Sequence, residues 1–288
     1  MKKEIRHLVF FILGTLAWTW VFYFPIGIFQ LDWSRGIGLA LFLAGGPAPS
    51  IMGIIMVFKT YDRDQRWDYF GRCVDFRRIG WWFLFPAILF PALAAAGTAI
   101  DIALGGTLPG MEALKTLSAN PLMLPVALFL YLWSGPFNEE FGWRGYALDP
   151  LLANFGFVRG SLILGFVWGL WHLPWCFIPG QVQKLDTFWL YILSLMGLSL
   201  VISLVYVKTR RSILAAVLMH LGSNLFMSQL LSPTSAQYET WRMILLIATG
   251  CVIAVYASRR LDDLMADFRK IVVSLPLDAA VTDGAGKG

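Results

Sequence analysis

Long apolar runs separated by short polar stretches set the frame of this chain. Eight such runs can be traced, at residues 8–29, 36–58, 81–104, 121–148, 157–178, 188–207, 214–231 and 243–257. They are too long and too continuous for strands, and the short alternating segments of a membrane β-barrel do not occur. The pattern predicts an all-α protein: a polytopic transmembrane helical bundle of about eight spans. The fourth run is the longest and the eighth the shortest. Gly45-Gly-Pro-Ala-Pro-Ser50 interrupts the second and is expected to kink it.

Composition agrees with a membrane solvent. The chain is 58% hydrophobic and 14% charged, with a mean hydropathy of +0.65, and so few charges cannot coat a soluble surface of this size. The net charge of +5 is unevenly placed. Only Arg35, Lys115, Lys184 and Arg242 fall in the odd-numbered loops; the remaining 19 of the 23 Lys and Arg fall on the opposite side. That split predicts both termini in the cytoplasm, in a multi-pass protein of the cell membrane. It reports topology and contact with the lipid bilayer, and no nucleic-acid partner is expected. The segment 59–78 alternates charge with Trp67, Tyr69, Phe70 and Phe76, and reads equally as an interfacial segment or a solvated loop. Asp101 is expected at the interface, and Trp33, Trp81, Trp82 and Trp241 in the aromatic belts. Cys73, Cys176 and Cys251 are irregularly spaced and suggest neither a disulfide framework nor a thiolate metal site. The first run lacks a small-residue cleavage site and is expected to be a retained anchor. No internal repeat is visible. The glycine-rich end, 283–288, lacks the helix and Ser/Thr of a phosphate loop and is expected to be disordered.

Candidate chemistry begins with two adjacent glutamates where a span should be apolar. They lie in Ser-Gly-Pro-Phe-Asn-Glu-Glu-Phe-Gly-Trp-Arg-Gly-Tyr, at 134–146. An intramembrane charge costs about 2.5–3.5 kcal/mol on insertion scales, so paired carboxylates there point to a wet, protein-lined cavity. Counting about 1.5 Å per residue from the cytoplasmic ends places Glu139 about 14 Å deep, His220 about 9–12 Å and His172 about 20 Å, roughly one layer. Glu140 and Arg144 are one turn apart and can pair, leaving Glu139 unneutralised. A desolvated carboxylate can serve as base for a water. His220 and Asn224 share a helix face and can both donate to a single oxygen. Trp168 lies one turn before His172, and Pro174 after it should open the backbone near the site. Read alone, the glutamates could snorkel, His172 could be a core histidine, and His220 with Asn224 could be an interhelical packing pair. Cys176 as a thiol nucleophile is the weakest reading.

In this order and on separate spans, Glu139-Glu140 with Arg144, Trp168 with His172, and His220 with Asn224 resemble the motifs of the CAAX protease and bacteriocin-processing family. Its members are also called abortive-infection proteins and include the Ras-converting CAAX endoproteases. The resemblance covers roughly residues 122–231. Phe more often opens the second motif, where Trp168 stands here. The resemblance implies an intramembrane endopeptidase in which Glu139, assisted by His172, activates a water, His220 and Asn224 stabilise the oxyanion, and Glu140 and Arg144 orient the site. It implies a transmembrane protease domain over 1–260, with the motif-bearing core at about 121–231, and a cytoplasmic tail over 261–288. A peptide or membrane-protein substrate is the expected partner. No cofactor is favoured, since no H-E-x-x-H occurs; zinc held by His172, His220 and Glu139 is the metallo alternative. The competing functions are a proton-coupled transporter using the same cluster as a relay, and a non-catalytic immunity or scaffold protein.

Overall fold

The computed structural model describes residues 3–108, 111–181, 183–230 and 235–261, together with Met265 and Phe268. Twelve α-helices and no strand occur among the described residues. They are α1 (Lys3–Ile28), α2 (Gly36–Gly45), α3 (Ala48–Thr60), α4 (Arg63–Val74), α5 (Leu84–Ala103), α6 (Glu112–Ala119), α7 (Leu124–Trp133), α8 (Pro136–Gly142), α9 (Leu148–Trp171), α10 (Phe188–Lys208), α11 (Ile213–Asn224) and α12 (Ala236–Arg260). Six segments are long and apolar enough to cross a bilayer. One of them, Pro121–Phe177, runs for 57 residues, enough for two crossings, and its backbone breaks at Gly156, where φ is 76° and ψ 174°. With the shorter apolar helix Ile213–Ser228, the number of crossings is about eight. The proline-glycine break expected in the second run is present, as the turn between α2 and α3.

The core is built on α10, whose most apolar window is 78% buried. Small residues let its neighbours approach to backbone contact, the usual device in lipid, where apolar side chains gain little by meeting one another. A Cβ on Gly250 of α12 would stand 2.4 Å from Cα of Gly197 on α10. A Cβ on Gly142 of α8 would stand 2.0 Å from the carbonyl oxygen of Pro49 on α3.

Four expectations are corrected. The fourth run is not one helix: α7 stops at Trp133, and α8 restarts at Pro136 after Gly135, which has φ −154° and ψ −71°. Proline at the first helical position needs no N–H partner, so the Gly-Pro pair breaks and restarts the helix at little cost. Segment 59–78 is no loop. Asp62 and Gln65 form a capping box at the start of α4, whose inner face buries Tyr69 and Arg72 while Trp67 and Phe70 stay exposed. Asp101 is fully buried and accepts a hydrogen bond from Ser235 Oγ at 3.0 Å. Finally, α12 begins seven residues before the eighth run, because Glu239 and Arg242 in its first turns mask it from a hydropathy count. The tail expected over 261–288 lies almost wholly outside the described residues.

At the end of the bundle where α4 packs, a buried ionic network ties four elements. Asp149, at the start of α9, accepts from Tyr206 Oη of α10 at 2.7 Å and from the guanidinium of Arg211, which precedes α11. Arg72 of α4 donates to Tyr206 Oη at 2.7 Å and pairs with Asp68 at 2.9 Å. Two of the three motif-bearing helices, α9 and α11, are thus anchored at one level.

Candidate active site

The glutamates sit on α8, between the Gly135 break and a π-helical turn at Trp143–Ala147. Asn224 closes α11 and is followed by a second π-helical turn, Leu225–Leu230. Wide turns of this kind re-aim side chains and recur at functional sites.

The two carboxylates have different partners. Glu140 is completely buried and takes two bonds on one oxygen: Arg144 Nη1 at 2.8 Å and His220 Nδ1 at 2.8 Å. Arg144 is equally buried and lies with its guanidinium carbon 4.4 Å from the centre of the Trp168 ring. Glu139 accepts from Trp168 Nε1 at 2.5 Å. His172 closes α9, where Leu173-Pro174 turns the chain into a 3₁₀ segment, and its Nδ1 lies 2.9 Å from the Trp168 carbonyl. A carbonyl only accepts, so Nδ1 carries the proton and Nε2 keeps its lone pair.

A 420 Å³ cavity separates these groups into those that face it and those behind it. Glu139, His172, His220 and Asn224 line it, whereas Glu140 and Arg144 do not. Gly135 supplies the sharpest measure of convergence. A Cβ built there would stand 3.0 Å from Asn224 Nδ2, 3.3 Å from His220 Nε2 and 3.4 Å from Glu139 Oε1. An amide N–H group, an imidazole nitrogen and a carboxylate oxygen therefore surround one small volume that only glycine leaves open. The structure brings together all six residues singled out in the sequence. Among the described residues, no group of three or more His, Cys, Asp or Glu side chains is placed to hold a metal ion.

Three features were not read from the sequence. Trp168 figured there only as an aromatic motif residue, but it donates to Glu139, lies under Arg144 and holds His172 through its carbonyl. Its four-residue spacing from His172 was the available signal. Gly135 was visible only as part of a Gly-Pro pair. The cavity wall also carries Tyr23, Trp33, Trp171, Trp175 and Tyr191, drawn from elements far apart in the chain; Trp33 comes from the turn between α1 and α2.

Fold and site together define a polytopic membrane protein with an acid–base centre enclosed among its spans. Residues 121–226 match the family model described as Type II CAAX prenyl endopeptidase Rce1-like. The chain is 27% identical over 252 residues to CAAX prenyl protease 2 of Methanococcus maripaludis, covering 84% of this chain and 92% of that protein. The matched stretch contains Glu139, Glu140, Arg144, His172, His220 and Asn224, so the whole site lies in the part of the chain that is similar to these membrane endopeptidases.

Proposed function

We propose that this chain hydrolyses a peptide bond of a peptide or membrane-protein substrate by attack of a water that Glu139 activates, without a metal ion. The observation that carries this reading is the convergence of Glu139 Oε1, His220 Nε2 and Asn224 Nδ2 on one volume beside Gly135. A scissile carbonyl oxygen there meets two donors, and a water between it and Glu139 meets a base. Glu139 takes the water's proton as the hydroxide adds to the carbonyl carbon. The resulting oxyanion is held by Asn224 and His220. His220 Nδ1 is engaged by Glu140, so Nε2 donates in the imidazolium form, whose charge the Glu140 carboxylate balances. Collapse of the tetrahedral species breaks the C–N bond, and the proton held by Glu139 passes to the leaving amine. His172, with its free Nε2 lone pair, is the second acceptor for the water. The name of the methanococcal relative refers to prenylated CAAX termini; the substrate class proposed here is the coarser one, a peptide bond presented inside the membrane.

The test is cleavage of a peptide library by purified protein in lipid nanodiscs. Glu139→Gln should abolish cleavage while the protein remains folded, since Gln is nearly isosteric but cannot accept the water's proton. Asn224→Ala should lower turnover about 100–1000-fold. A strong chelator should change nothing. Full activity of Glu139→Gln would end the glutamate mechanism, and chelator-induced loss reversed by zinc would replace it with a metal site.

A further inference from the structure

The same cavity has a second polar end that the hydrolytic chemistry does not use. Arg242, Gln183 and Tyr191 line it together with the glutamate and histidines. They come from the first turns of α12, from the segment before α10, and from the first turn of α10. Arg242 pairs with Glu239 three residues earlier, a spacing that on most helices makes an ordinary surface ion pair. This one is different in two respects. Its guanidinium side chain is only 13% exposed and faces the cavity. Both of its bonds, from Nε at 2.9 Å and Nη2 at 2.6 Å, go to the single oxygen Oε2 of Glu239, so Nη1 has no hydrogen bond among the described residues. Gln183 adds an independent sign. Its Nε2 lies 3.4 Å from Tyr191 Oη, while its Oε1 is buried without a partner. A buried amide with one unused end, lining the same cavity as an arginine with an unused donor, is an arrangement short of one ligand group.

The ligand chemistry follows from the donors. An arginine presents a planar fork matched to carboxylates, and an amide that can turn its NH₂ end inward supplies a further donor. Trp33, Trp175 and Tyr23 line the same cavity, and charge-assisted bonds beside such apolar walls are the strong ones. We propose that Arg242, assisted by Gln183, is a substrate-anchoring subsite that binds a carboxylate of the peptide whose scissile bond lies at Glu139. The proposal rests on the peptidase reading. Glu239 holds the arginine neutralised while the cavity is empty and gives way as the substrate carboxylate arrives. The carboxylate has two sources, the C-terminus of the peptide or an acidic side chain near the scissile bond.

The test is made on the full chain in nanodiscs, with Glu139→Gln as background so that binding is read without turnover. The probes are fluorescent peptides of one apolar sequence in three forms: free C-terminal acid, C-terminal amide, and C-terminal amide with one internal glutamate. At least one carboxylate-bearing form should bind about 10–100-fold more tightly than the plain amide, the effect of one charge-assisted bond. Preference for the free acid assigns the C-terminus, and preference for the internal glutamate assigns a side chain. Adding Arg242→Gln should erase the preference and leave amide binding unchanged, while Arg242→Lys should restore part of it. Glu239→Gln should keep or strengthen it, because a competing carboxylate is gone. Equal or absent binding of all three forms overturns the subsite. So does a loss that Arg242→Gln and Glu239→Gln produce alike, the signature of a plain helix ion pair. Cleavage is then followed with Glu139 intact. A carboxylate preference without any cleavage would sink the peptidase reading and keep the subsite; cleavage without preference would do the reverse.

Discussion

Glu139 and Glu140 are neighbours in sequence with opposite surroundings: one faces the cavity with an indole N–H beside it, the other is closed in by Arg144 and His220. Substitutions should separate them. Arg144→Met leaves a fully buried carboxylate without its countercharge, and breaking a buried pair in this way destabilises by about 3–5 kcal/mol; thermal unfolding should show a large drop in Tm and loss of activity together. Trp168→Phe removes only the N–H to Glu139 and keeps the ring under Arg144. It should lower kcat about tenfold with little change in Tm, in line with the loss of one hydrogen bond to a charged group; an unchanged kcat would show that the indole does not hold Glu139. At this scale the site was largely legible. Spacing alone paired Glu140 with Arg144, and the shared face of His220 and Asn224 is what aims both at one point. What spacing cannot show is a bond between helices, so the Trp168–Glu139 contact, 29 residues apart, stayed hidden.

Among the elements, the break between α7 and α8 decides where the carboxylates point. Gly135 is the position most exposed to test. A methyl there would sit 3.0–3.4 Å from Asn224 Nδ2, His220 Nε2 and Glu139 Oε1, so Gly135→Ala should depress turnover strongly while leaving the Tm within a few degrees. Gly142→Ala should do the opposite in kind. Its Cβ would meet the backbone of α3 at 2.0 Å, so the helices must part and the fold should be lost along with activity. Comparing the two by thermal unfolding and peptide cleavage separates a glycine kept open for substrate from one kept small for packing. Hydropathy located these helices but not their interruptions. A run of apolar residues reads the same whether the backbone passes through it as one helix or as two, and the polar first turns of α12 fell below any apolar threshold for the converse reason.

Taken as a whole, the molecule is asymmetric along the bundle axis. The split of 19 against four basic residues predicts cytoplasmic termini. Reporters fused after Arg72 and Arg211 should read as cytoplasmic and those after Lys115 and Lys184 as external, and reversal at either pair would reject the map. The ionic network of Asp68, Arg72, Asp149, Tyr206 and Arg211 closes one end, whereas the cavity occupies the other, edged by aromatic rings and by the exposed α7. Such an arrangement sets an order of events when the protein opens. Regions with few buried contacts exchange their amide hydrogens through small local openings, and densely bonded ones only through global unfolding. Amides of α7, which buries none of its residues, should therefore exchange with deuterium first. Those where α9, α10 and α11 meet the network should exchange last, so the protein would loosen from its mouth while its floor still stands.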